Sequence, residues 1–383
     1  MSHASREIGA IITLGIGGNS PQEQLVLEAQ RACALDLIDL LHEHGIGRIV
    51  VASPSLDWIP DSVEAIRDQD DPDRPFHFGT RIADLVERYQ IEPALYFGGG
   101  STPLFDAALC EMLIGLLMRS QQPMGTGIPS HICLTNNLHS SDWFAISRVD
   151  AAIPILRQAE RDNSVAWQLQ ESGEYNVRVL AGVRPSTSLD IDTPTDLAVL
   201  AAHPAVMPNL RKVVSDPRLA AIPVQEVLRV MRTEGSTVLL IGRTSPLAWN
   251  ALNKSARLWT RVIAEERGMV ASGRSERGEV RSLLVPWVKA RGFAGFFDDL
   301  ADLADCVLFD DRVLMTASNV HASAADRFAS DLYWIDEIHK GWLREFTEAA
   351  RKVRIPVILG GHTIIAGGLY ALTEIIGTPA TND

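Results

Sequence analysis

A two-domain α/β fold is predicted for this chain of 383 residues. Three observations carry the prediction. Short apolar runs alternate with amphipathic stretches along the whole length, the pattern of strands interleaved with helices. The chain is long for a single core, so two domains are the default. A Pro-containing, weakly periodic seam, "HPAVMPNLRKVVSDPRLAAIP", separates two series of these alternations. The boundary is placed at residue 208, which gives domains of residues 1–208 and 209–383.

In the first series, "GAIITLG" (9–15) reads as a buried strand. "LVLEAQRACALDLIDLLHEHG" (25–45) has helical spacing and stops at Gly45. "RIVVASP" (48–54) is a second strand, "TRIADLVERYQ" (80–90) a helix and "ALYFGGG" (94–100) a third strand. "DAALCEMLIGLLMRS" (106–120) is apolar on most sides and reads as a buried helix. "HICLTNN" (131–137) and "NVRVLAG" (176–182) are further strands. "TPTDLAVLAAH" (193–203) opens a helix with Thr193 as N-cap and Pro194 behind it. The second series supplies the strands "STVLLIG", "TRVIAEE", "CVLFDD" and "IPVILGG", with helices expected over 224–232, 280–289, 324–332 and 343–351. Its sheet is expected to be mostly parallel.

Composition narrows the function classes. A net charge of −13 argues against broad nucleic-acid binding, which needs a basic footprint. A local basic pocket for a small anionic or nucleotide ligand remains compatible with it. The four cysteines lie far apart in apolar contexts and without metal-ligand spacing, so buried reduced thiols are expected. No run of about 18 apolar residues suggests a membrane span, and the N-terminal apolar run is too short for a signal peptide. A cytoplasmic protein, with a homodimer as the prior assembly, is the expectation.

Two motifs stand out in the first half. Gly15, Gly17 and Gly18 follow the first strand, where backbone N–H groups can cradle a phosphate. "YFGGGSTPL" runs the third strand through Gly99 and Gly100 into Ser101, and "SLDIDTPTDL" carries Asp190 and Asp192 ahead of a helix. With the order of elements, these stretches resemble nucleotidyltransferases of the glycosyltransferase-A-like fold, a Rossmann-like mixed sheet, over about residues 8–205. Molybdenum-cofactor and phospholactate guanylyltransferases belong to that group. The resemblance implies a nucleotide at the glycine loops, Mg²⁺ as cofactor, and Asp190 and Asp192 beside the metal. Two features depart from the family pattern. No basic residue follows the first loop until Arg31, and Ser101 stands where the family carries a metal-binding Asp. The stretch "LTNNLHSSDWF" offers Asn136, Asn137, His139, Ser140 and Asp142, as further pocket groups or as a surface turn.

The second half resembles no family. If its strands are parallel, their downstream residues gather on one edge, where open α/β sheets bind ligands. Those residues are Arg243, Thr244 and Ser245, then Glu265 with Glu266 and Arg267, then Asp310, Asp311 and Arg312, then Gly360, Gly361, His362 and Thr363. Arginines there, with Arg274 and Arg277 of "GRSERG", suit phosphate or carboxylate. Asp310, Asp311 and His362 are the expected catalytic groups, as metal holder, base or proton shuttle. Each also has a plainer reading, as a cap, a solvated strand end or a soluble loop. The aromatic stretch "SAADRFASDLYWIDEIHKGWLREF" fits a lid, an oligomer contact or core, with Phe328 and Phe346 expected in the core. Three functions stay open: a nucleotidyltransferase-like enzyme with an altered first-domain site, a non-catalytic binding or scaffold protein, and an enzyme acting on an anionic metabolite in the second domain.

Overall fold

The computed structural model describes residues 7–119, 131–180 and 184–377. The chain packs as two compact α/β units. The first holds Met1–Ile16, Gln30–Asp190 and Met207–Leu210; the second holds Gly17–Ala29, Ile191–Val206 and Arg211–Asp383.

The first unit is built on seven strands: β1 (Gly9–Thr13), β2 (Arg48–Ser53), β3 (Ile66–Gln69), β4 (Ala94–Gly98), β5 (His131–Thr135), β6 (Trp143–Ile146) and β7 (Tyr175–Val179). Their order is β3-β2-β1-β4-β6-β5-β7. β6 runs antiparallel to both its neighbours, and the remaining pairs are parallel, so the sheet is mixed as expected. Successive side chains of a strand point to opposite faces. Ile12, Val51, Phe97 and Trp143 therefore pack on one face with Leu37 and Ile38 of α1 (Pro21–Glu43) and Leu113 of α3 (Ala107–Arg119). Ile11, Val50, Tyr96 and Phe144 pack on the other with α2 (Phe78–Tyr89), α4 (Val149–Leu156) and α5 (Val165–Glu171). Ser120 of the third predicted helix, and Ala181 and Gly182 of the last predicted strand, lie outside the described residues.

The second unit begins with α6 (Pro194–Ala202), α7 (Pro208–Val214), whose first residues group with the first unit, and α8 (Val224–Arg232). It continues through β8 (Thr237–Gly242), α9 (Pro246–Ser255), β9 (Trp259–Ala264), α10 (Leu284–Leu303), β10 (Cys306–Asp310), α11 (Arg312–Ala317), α12 (Ala324–Asp331), α13 (Gly341–Lys352), β11 (Val357–Gly360) and α14 (Gly367–Gly377). The four strands, in the order β11-β10-β8-β9, are all parallel. One face packs Leu239, Ile241, Phe309 and Leu359 against α10, α12 and α13. The alternate residues Val238, Leu240, Leu308 and Ile358 are equally buried, so both faces are covered, as parallel sheets require.

Two expectations are corrected, one helix and Phe328. The helix expected over 280–289 starts at Leu284 and runs to Leu303, across a break at Gly292 (φ 64°, ψ 170°). Val280 instead packs with Met269 and Val313. The aromatic stretch is mostly core: Trp342 stacks on Phe346 at 5.2 Å, and Phe346 meets Phe297 and Phe309. Phe328 is the exception, because it is half-buried and lines a cleft. All four cysteines are free and buried.

Candidate functional site

β8 is the switch strand of the second sheet: β9 lies on one side of it and β10 on the other. The chain leaves β8 into α9, and leaves β10 into α11 and α12, which join the core on the sheet's other face. Diverging exits of this kind open a crevice at the carboxyl ends of the strands. A cleft of about 510 Å³ lies there, lined by Arg243, Arg312, Arg327, His362, Asp192 and Phe328 among others.

The cleft floor depends on Gly242, the last residue of β8. Its φ is +117°, and a Cβ there would stand 2.6 Å from both the Cβ and the carbonyl oxygen of Asp310. Glycine thus lets β8 close on β10 and brings Arg243 over Asp310. Arg243 donates to the carboxylate three times, from its backbone N (3.1 Å), Nε (2.6 Å) and Nη2 (2.8 Å). Burial works to raise the Asp310 pKa; the Arg243 bonds and charge outweigh it and hold the carboxyl below its usual range.

Beside this pair lies a second one. Arg312 opens α11, donating Nη1 to Asp311 (2.6 Å) and Nη2 to both oxygens of Asp331 (2.9 and 2.6 Å). Both carboxyls are fully buried, and Asp311 Oδ2 has no hydrogen-bond partner. Burial raises the pKa of each. Arg327, on α12, differs from both. Its Nη1 donates to the Ala322 carbonyl (2.7 Å), and no carboxylate lies within 4.0 Å of it among the described residues. Burial, then the nearby Arg312 charge, lowers its pKa.

β11 supplies the third edge of the crevice. Gly360 is approached by Thr195 and Gly361 by Thr193, both at van der Waals distance or closer for a Cβ. Thr195 Oγ1 donates to the Leu359 carbonyl (2.6 Å), and Thr193 and Asp196 form a capping box at the start of α6. The "TPTDL" segment is therefore a brace on β11. It sets Asp192 at the cleft, where a carboxylate oxygen lies within 4.8 Å of a ring nitrogen of His362. Burial first, and then the Arg243 charge, lowers the His362 pKa against the opposing pull of Asp192 and Asp310. A neutral imidazole at the cleft can accept a proton.

The structure thus brings together Arg243, His362, Gly361 and Asp192 from the sequence-derived candidates. Asp310 and Asp311 sit under arginines as counter-ions and do not line the cleft. Arg274 bonds within its own loop, to Glu266 (2.9 Å) and the Glu279 carbonyl (2.9 Å). Arg277 bonds to Glu279 and the Ser272 carbonyl, and Glu265 accepts from Ser282 (2.6 Å). Of the two further lining cations, Arg312 stands among the strand-end residues without an assigned role, and Arg327 is absent from them. Arg327 gives no signal, since a charge in "AADRFASD" reads as a solvated helix face.

The first half's motifs have internal partners. Gly15 has open space around its Cα, and Gly17 lies against Leu27. The Glu23 carboxylate stands where a Gly18 Cβ would be, because Ser20 and Glu23 cap α1: the Ser20 N and Oγ donate to Glu23, and the Glu23 N donates to Ser20 Oγ. Gly99 lies against Thr13 and Leu14 of the first unit, and Gly100 takes φ +82°. Ser101 is buried, bridges to Asp190, and its Oγ has no hydrogen-bond partner. Asn136 and Asp142 bond each other across their loop (2.5 and 3.1 Å), and the His139 N donates to Asn137 in an Asx turn.

These donors test the Mg²⁺ expectation. Mg²⁺ is held by carboxylates together with phosphate oxygens. Within the first unit the matching positions offer the Asp190 carboxylate and the Ser101 hydroxyl, while Asp192 groups with the second unit. A hydroxyl does not supply the missing charge, so the fit is incomplete and no step is derived through the metal. Compared with known proteins, the chain matches no family model and no curated protein.

Proposed function

We propose that the protein binds a small anionic metabolite in the second unit's cleft and that any chemistry takes place there. The observation that carries this is the convergence of Arg243, Arg312, Arg327 and His362 at the switch point of an all-parallel sheet. Cations partly buried in a crevice neutralise an anion more effectively than fully exposed surface charges do. His362, neutral and beside Asp192, is the group suited to receive a proton from the bound molecule. The first unit keeps a mixed α/β sheet, but Ser101 takes the place of a charge-bearing residue. That supports a structural or accessory role for it rather than nucleotidyl transfer.

A thermal-shift screen of the full chain tests the proposal, because a ligand that binds only the native state raises the melting temperature by mass action. Sugar phosphates, nucleotides with and without Mg²⁺, and di- and tricarboxylates form the panel. Anions that stabilise the wild type and fail to stabilise Arg327→Gln agree with the proposal. Stabilisation by nucleoside triphosphates that requires Mg²⁺ and survives Arg327→Gln contradicts it.

A further inference from the structure

We infer that the ligand of this cleft is a phosphate monoester carrying a flat apolar body, its phosphoryl group gripped by Arg327 with Arg243 and Arg312, and its body lying against Phe328. The inference rests on the anion-site proposal and narrows it.

The donor inventory points to the phosphoryl group. Arg243 spends Nε and Nη2 on Asp310, which leaves Nη1. Arg312 spends both terminal nitrogens on Asp311 and Asp331, which leaves Nε. Arg327 spends only Nη1, so the Nε–Nη2 fork is open. The open N–H groups therefore come from three elements: the end of β8, the start of α11, and α12. A planar carboxylate has two oxygens and is satisfied by one guanidinium fork; a tetrahedral phosphoryl group has three and accepts from separate directions. The ion pairs single out one cation. Asp310 pairs with Arg243, and Asp311 and Asp331 pair with Arg312, while Arg327 has no ion-pair partner among the described residues. An incoming anion supplies Arg327 with the partner it lacks and offsets the Arg312 charge beside it.

Shape and lining point to the body. At about 510 Å³ the cleft has the size of sites for whole organic metabolites rather than for a lone oxyanion. Phe328 follows Arg327 directly on α12 and is half-buried at the cleft wall, and Val270, also on the wall, is 56% exposed. An apolar ring beside the phosphoryl seat covers surface that is otherwise left to water.

Isothermal titration of the full chain with phenyl phosphate, inorganic phosphate and benzoate tests this. Phenyl phosphate is expected to bind with a Kd of about 1 mM or tighter, and at least about tenfold more tightly than either other probe. Arg327→Gln should weaken both phosphate probes by about tenfold or more, with Arg327→Lys intermediate because it keeps charge without the fork. Phe328→Ala should weaken phenyl phosphate alone. Benzoate binding as tightly as phenyl phosphate overturns the phosphoryl assignment and leaves the anion site standing. Inorganic phosphate binding as tightly overturns the apolar body. Failure of all three probes overturns the inference, while any polycarboxylate or larger anion from the screen still decides the anion site separately. Unchanged phenyl phosphate affinity in an Arg327→Gln protein with wild-type melting temperature overturns the placement.

Discussion

The Asp310–Arg243 pair gives the sharpest stability prediction. The Asp310 side chain is fully buried and that of Arg243 is 19% exposed. Removing one member of a buried pair costs about 3–5 kcal/mol, because the survivor keeps a desolvated charge. The two single substitutions should not cost the same. In Asp310→Ala the surviving guanidinium can reach water, so the lower end, about 3 kcal/mol, applies. In Arg243→Ala the fully buried surviving carboxylate keeps two backbone donors, the residue-243 N (3.1 Å) and the Arg312 N (3.4 Å), but loses both guanidinium bonds and the balancing charge, so the cost approaches about 5 kcal/mol. The double substitution removes both charges and should cost less than the sum by about 2 kcal/mol. Hydrogen exchange at the β8 and β10 amides reads this locally, where 3 kcal/mol is about a 150-fold faster opening. Equal costs for the two singles, or a double equal to their sum within about 0.5 kcal/mol, would refute the account of this pair.

Other substitutions follow from the same geometry. Gly242→Ala meets a positive φ and a Cβ 2.6 Å from the Asp310 carbonyl, so it should cost at least about 2 kcal/mol and weaken anion binding, read by denaturant melts and titration. Ser101→Ala removes a buried hydroxyl that has no partner, so stability should change by less than about 1 kcal/mol and anion affinity should not change. Asp311 has a pKa raised by burial, pushed up to about 7 from 3.8, so the unfolded chain releases its proton first. Folding stability from this group is then present at low pH and lost as pH rises from about 4 to about 7. Asp311→Asn keeps the acceptor to Arg312 and removes that loss, so its melting temperature relative to wild type should climb between pH 5 and pH 8; a flat difference would count against a raised Asp311.

Much of the architecture was legible because buried strands announce themselves. "VLLIG", "CVLF" and "PVIL" are apolar runs ended by glycine or charge, and parallel sheets buried on both faces require such runs. β6 was missed because its four residues, "WFAI", follow a polar loop and are too short to show a period. α9 and α14 were missed for a related reason: "PLAWNALNKS" and "GGLYALTEIIG" mix turn formers with apolar residues, and packing rather than propensity makes them helical. At the site, strand-end chemistry led to Arg243 and His362. It did not reveal the partners of the acids, because sequence shows that Asp310 and Asp311 follow a strand but not that arginines cover them. Arg327 lies far along the chain from the strand ends, so only the fold brings it to the cleft.

Anion binding at the strand ends of the second unit can be read from hydrogen–deuterium exchange of the full chain, with and without saturating phenyl phosphate. Exchange is expected to slow in residues 243–245, 269–275 and 311–328, with the first unit unchanged. Protection confined to residues 98–102 and 188–190 would contradict it and return the ligand to the glycine loop of the first unit.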